Sequence, residues 1–224
     1  MLQLSSCRNN SGKEAVVLEN DQFFSYVKPY LKNGYDVVMV PKGISMLPTI
    51  GDNTDLVRLH ADSIVCDSDI VLVQMKSGQY VMHRIIGISG KNITLKGDNN
   101  KTVEHVTLGN VLAKVVEHHK NGASAITAVE ADSNATYKLV PHLRLDPLGD
   151  GCVVADTLKR VVFMQRVLAF NEPAKMLWEK YQGREFRIED MATTLVSVYD
   201  IDTLTANRDC TELLTTWLQC AMAQ

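Results

Sequence analysis

A mainly β domain of coiled, mostly antiparallel sheets, followed by a small α+β winged helix-turn-helix domain, is the fold class that this sequence predicts. Three observations carry the prediction. Six short β-rich runs lie between Asp36 and Glu117, a stretch of small polar residues follows, and beyond it strand-like runs give way to three helical patterns.

The first domain opens on DVVMV and continues through DLVRL, DIVLVQM, YVMHRIIGI, NITLK and NVLAKVVE. Turn residues such as Gly51-Asp52-Asn53, Lys76-Ser77-Gly78, Ser89-Gly90-Lys91 and Gly97-Asp98-Asn99-Asn100 separate these runs, as hairpin connections require. Ahead of them, residues 1–35 read as a polar arm and a short amphipathic helix. Phe23, Phe24, Val27, Tyr30 and Leu31 recur at helical spacing, Asn20 or Asp21 caps the start, and Gly34 ends the turn. The helix packs on the following domain, or alternatively lies on a membrane surface through Lys28 and Lys32.

Residues 36–119 form the β domain, 120–136 (KNGASAITAVEADSNAT) a linker in which AITAVEA is a brief strand or helix, and 137–224 the second domain. There the strands CVVAD, VVFM and RVLAF precede helices at about 172 to 182, 188 to 199 and 205 to 222. Asn171, Glu172 and Pro173 supply a cap and first turn, and Gly183 an exit.

Composition excludes more than it identifies. The 224 residues are 46% hydrophobic and 22% charged with a net charge of −3, so no chain-wide attraction to nucleic acid exists. From Tyr137 onward there are ten Lys plus Arg against twelve Asp plus Glu, which argues against a winged helix that grips phosphate. Cys7, Cys66, Cys152, Cys210 and Cys220 are odd in number and lack Cys-x-x-Cys spacing. They suggest neither a disulfide framework nor a metal site. With no apolar stretch long enough for a signal peptide or a membrane span, a cytoplasmic location is expected.

Ser45 stands in Val40-Pro41-Lys42-Gly43-Ile44-Ser45-Met46-Leu47-Pro48, a Gly- and Pro-bounded segment between strands. A serine in such a turn is either structural or a nucleophile. The second role requires a neighbouring base and N–H donors for the developing oxyanion. The ordered blocks GISMLPTI, SDIVLVQ, YVMHRIIGI and LKGDNN resemble the signal-peptidase and LexA-like serine peptidases over roughly residues 36 to 117.

That resemblance implies Ser45 as nucleophile and His83 as general base, where many bacterial members have lysine. It is similar in this to the eukaryotic-type and spore-associated members. A lysine must drop about three units from its free value of about 10.4 to serve near pH 7, whereas a histidine at about 6.5 is already mostly neutral. Asp98 is the carboxylate that the resemblance offers to orient the imidazole; its alternative is to shape a turn. For His83 the alternative is a satisfied core histidine, and Asp69 marks a strand entry. Gly43 falls where some relatives place an oxyanion-binding hydroxyl, so the hole would consist of backbone N–H groups at Gly43 and Ser45.

Residues from Tyr137 onward resemble PqqD-like peptide-recognition domains. The residues that carry this are Arg166 to Phe170 with Asn171-Glu172, Lys175 to Trp178, Tyr181-Gln182-Gly183 with Phe186-Arg187-Ile188, and Val198 to Asp202. The resemblance implies a leader peptide added as a strand beside the third strand and against the third helix. Val167, Leu168, Ala169, Leu213 and Trp217 would line that cleft, near Cys210 and Leu214; alternatively they fill the small core.

The expected function is therefore a serine endopeptidase that removes the leader of a ribosomally made peptide, without metal or cofactor. A peptide-modifying enzyme or transporter is the further partner that this implies. The alternatives are a noncatalytic leader-binding scaffold and, last, a winged-helix DNA-binding regulator.

Overall fold

The computed structural model describes residues 20–62, 64–122, 129–148, 151–168 and 170–224. Helix α1 (Asn20–Lys32) comes first, with Phe23, Phe24, Val27 and Leu31 buried along one face. Gly34, at φ 72°, takes the left-handed conformation in which glycine ends a helix without steric cost. The side chains of Asn20 and Asp21, the polar arm and residues 123–128 of the predicted linker lie outside the described residues.

The strands are β1 (Asp36–Met39), β2 (Leu56–His60), β3 (Ile70–Gln74), β4 (Tyr80–Ser89), β5 (Asn92–Lys96), β6 (Glu104–Thr107) and β7 (Val111–His119). After these come β8 (Tyr137–Lys138), β9 (Leu143–Leu148), β10 (Gly151–Asp156) and β11 (Val161–Leu168). Helix α2 (Glu172–Tyr181), the short β12 (Glu185–Phe186), α3 (Ile188–Val198) and α4 (Thr203–Gln219) complete the order. The protein is thus mainly β, with a large mixed sheet and a few helices. No helix of the described residues is long and apolar enough to cross a membrane.

Ten strands form one sheet in the order β6-β5-β4-β3-β7-β2-β1-β11-β10-β9. Its neighbours are antiparallel except β1 and β11, which run parallel with Asp36, Val37 and Val38 opposite Val161, Val162 and Phe163. The sheet therefore runs on across the predicted boundary at 120–136. Parallel strands are usually buried on both faces, and DVVM and VVFM are correspondingly apolar at successive positions rather than alternating.

Among the described residues the buried apolar side chains fall into three cores. One lies between α1 and a sheet face that includes Val37, Met39, Val57 and Leu59, and it is closed by Leu148, Val153, Ala155, Val162 and Met164 from beyond the predicted linker. A second, of Val71, Val73, Ile85, Ile93, Leu95 and Val106, fills the β3 to β6 end. The third packs α2, α3 and α4 against Cys152 and Val154. Strand β10 is buried at every position, because alternate side chains enter different cores.

Sequence and structure agree closely on α2, α3 and α4. They differ where VVFM and the Arg166–Leu168 part of RVLAF belong to one strand, whose register jumps from Val154↔Phe163 to Val153↔Val167. Strands β6, β8, β9 and β12 were not predicted. Strand β9 contains Pro147, which lacks a backbone donor and so fits its position at the sheet edge.

Candidate functional site

The segment from Pro41 to Asp55 joins β1 to β2. Met46 and Ile50, four residues apart, are buried, and the Ile50 N–H donates to the Met46 carbonyl at 2.9 Å. This turn fixes the segment to the core beside α1 and leaves Ser45 half-buried and Ile44 exposed. Gly43 has φ 123°, a conformation open to glycine alone at little cost. Its N–H donates to Asp52 Oδ1 at 2.7 Å, so the structure removes Gly43 from the predicted pair of oxyanion donors. Of that pair, the Ser45 N–H has no acceptor among the described residues.

The far end of the segment is held by Asp55, which is 4% exposed. Its carboxylate accepts from the N–H of Gly51 at 2.8 Å, the N–H of Asn121 at 3.0 Å, the Thr54 hydroxyl at 3.1 Å and His118 Nε2 at 2.6 Å. Burial tends to raise the pKa of this carboxyl. The hydrogen bonds from Gly51, His118, Asn121 and Thr54 outweigh that and hold it well below the usual carboxylate range.

His83 lies on β4, 4% exposed and on the same side of the strand as Ile85. Its Nδ1 is 3.0 Å from Glu104 Oε2, at the start of β6. An ionised carboxylate can only accept, so Nδ1–H donates to it, and in a neutral imidazole so held the lone pair is on Nε2. The contact follows from register: β5 ends at Lys96, opposite Arg84, and its other neighbour brings Glu104 alongside Leu95. One residue past the last β4–β5 pair, the imidazole meets the Glu104 side chain.

Asp98 does not orient His83. It is bound by Arg84, with Nε to Oδ1 at 2.9 Å and Nη2 to Oδ2 at 2.7 Å, and it accepts the Thr49 hydroxyl at 2.5 Å. The physical reason is strand alternation: Arg84 and His83 leave β4 on opposite sides, so the carboxylate that satisfies one does not reach the other. The Arg84 hydrogen bonds are the largest cause of an Asp98 pKa below the ordinary carboxylate value; burial opposes them and Thr49 assists. Asp98 is thus a strut between β4 and the serine segment.

The turn after β5 also touches Ser45 directly. The Asn99 N–H donates to the Ser45 carbonyl at 2.8 Å, and Asn99 Nδ2 donates to the Ile44 carbonyl at 3.1 Å. A Cβ at Gly97 would lie 2.7 Å from the Ser45 oxygen, so glycine is required for this approach. Since the β4–β5 register carries the His83 end of β4 toward Gly97, the main chain of Ser45 and the strand that bears His83 share one corner of the sheet. Among the described residues no hydrogen bond joins Ser45 to His83.

Glu104 and Asn99 escaped the sequence reading. The only signal for Glu104 was the alternation Glu104-His105-Val106-Thr107, four residues long.

The second predicted site is divided. Val167 and Leu168 belong to β11, opposite Val153 and Cys152, but their side chains and the whole of Ala169 lie outside the described residues. Strand β1 already occupies the β11 edge at Val161–Phe163, which shortens the edge predicted to accept an added strand. Leu213 is half-buried and lines a groove of about 300 Å³ with Asn171, Pro173, Leu177, Tyr199 and Ile201.

Trp217 is a correction. It is 0% exposed, stacked on Phe170 at 6.2 Å between centroids and edge-on to Trp178 at 5.5 Å, so it belongs to the helical core rather than to a peptide surface.

A mainly β protein with a carboxylate-bound histidine beside an anchored serine segment, and an apolar groove among its last helices, is the class that fold and site define. No family model matches the chain, and no curated protein matches it. Among solved structures, lasso peptide synthetase B1 complexed with the leader peptide is similar at 23% identity and a TM-score of 0.30, covering 40% of this chain and 99% of its own.

Proposed function

We propose that this chain binds a peptide precursor and hydrolyses one of its peptide bonds at Ser45. The observation that supports this best is the His83–Glu104 hydrogen bond, at the corner of the sheet where the turn from Gly97 to Asn99 holds the serine segment. In this reading Ser45 Oγ attacks the scissile carbonyl carbon while His83 Nε2 takes its proton. The Ser45 N–H donates to the oxyanion, and the imidazolium returns the proton to the leaving amine as the C–N bond breaks. Water, deprotonated by the same imidazole, then releases the acyl group. Glu104 keeps the imidazole in the productive tautomer and stabilises its charged form.

Glu104→Gln keeps the size and loses the charge, so the second-order rate of fluorophosphonate acylation is expected to fall about 10²- to 10⁴-fold. A rate within threefold of the parent would remove Glu104 from the mechanism. The groove at Leu213 is assigned to the precursor's recognised segment, where apolar walls favour apolar side chains. For Leu213→Asp, affinity for precursor peptides encoded beside this gene is expected to drop at least tenfold by calorimetry, since about 1.4 kcal/mol suffices for that change.

A second reading, a peptide-binding scaffold without hydrolysis, is favoured by the lack of a Ser45–His83 hydrogen bond among the described residues and by the engagement of the Gly43 N–H with Asp52. Incubation with those precursor peptides separates the two. Cleavage by the parent protein supports the first reading, and binding without cleavage or labelling supports the second.

A further inference from the structure

Asn99 donates to two successive carbonyls of the serine segment, its N–H to Ser45 and its side-chain amide to Ile44. The Ile44 oxygen also accepts the Leu47 N–H at 3.2 Å, so two donors fix its direction. A peptide unit is planar, and in the trans form its carbonyl and N–H point opposite ways. The unit joining Ile44 to Ser45 is trans, because the cis bond found here is Leu47–Pro48. Holding the Ile44 carbonyl against Asn99 therefore aims the Ser45 N–H away from the turn. Among the described residues that N–H has no acceptor.

We infer that Asn99 is a positioning residue that sets the oxyanion donor at Ser45 by holding the Ile44 carbonyl. The inference rests on the reading of Ser45 as a nucleophile. The other N–H of the predicted pair, that of Gly43, is engaged by Asp52. Without the side-chain donor the Ile44 carbonyl keeps only the 3.2 Å bond from the Leu47 N–H, and the aim of the Ser45 N–H is held less tightly. Preorganised donors contribute because they need no reorientation as charge develops.

Asn99→Asp tests this with almost no change in shape, since the amide donor becomes a carboxylate oxygen that repels the Ile44 carbonyl. The probe is a fluorophosphonate, read as a maximal acylation rate and an inhibitor constant across pH, with thermal unfolding to show that the variant is folded. The maximal rate is expected to fall about tenfold to a hundredfold. The inhibitor constant should stay within twofold, and in the uncharged variant Asn99→Ser the pH midpoint should be unmoved, because His83 and Glu104 are untouched and no charge is added beside them. The Ser45 backbone amide resonance should be displaced.

Asn99→Ser, which also lacks the reaching amide, should behave alike and serves if the aspartate variant does not fold. A folded variant with a maximal rate within twofold of the parent overturns the inference. Should the parent itself resist labelling, the hydrolytic reading fails separately, and the clamp is judged on the resonance alone: displaced, it stands, and unmoved, it falls.

Discussion

Ser45→Ala is expected to abolish fluorophosphonate labelling at this site and to reduce precursor cleavage at least about 10⁴-fold. Without Oγ no acyl-enzyme can form, and a histidine polarised by Glu104 has nothing to deprotonate but water. The substitution removes one oxygen from a half-buried position whose neighbours are held through main-chain groups, so the fold should persist with an unfolding midpoint close to the parent's. Mass spectrometry after exposure to the probe, with and without prior unfolding, measures the effect. A native Ser45→Ala protein that labels or cleaves like the parent excludes Ser45 as nucleophile.

Asp55→Ala should give the largest loss of stability, about 3–5 kcal/mol, because it leaves the N–H groups of Gly51 and Asn121 and the His118 imidazole without their acceptor. Asp55→Asn keeps one acceptor oxygen and should lose roughly half as much. The sign of the pH dependence follows from the depressed carboxyl. A group with a folded-state pKa below its unfolded value of about 3.9 contributes stability above that value and loses it as pH falls through the folded one. The parent should therefore weaken progressively below about pH 4, and Asp55→Asn should lack this part of the acid sensitivity. Urea unfolding from pH 7 to pH 3 tests both, and equal acid slopes for parent and variant would refute the assignment.

What was legible in the sequence depends on local pattern. The motifs around Ser45 and His83 mark a turn and a strand, which the structure has there, and α2 begins where Asn171 accepts from the Ala174 N–H, as its sequence indicates. What was not legible depends on register between distant strands. Asp98 and Glu104 are both carboxylates after β5. Only the β4–β5–β6 pairing decides that the first meets Arg84 and the second His83.

Helical periodicity likewise cannot separate Leu213 from Trp217, four positions apart on one face of α4, although one lines a groove and the other is sealed. The parallel pairing of β1 with β11 spans more than a hundred residues and leaves no local trace beyond two runs of consecutive apolar side chains.

That pairing decides what can exist separately. The compartment behind α1 is walled partly by Leu148, Val153, Ala155, Val162 and Met164, so a polypeptide ending before them would present wet, oily surface where its interior should close. It would also expose a raw strand margin along Asp36–Met39, open to pairing with other molecules. The two activities proposed for Ser45 and Leu213 would accordingly be lost together on such a cut, rather than separate with two interchangeable parts.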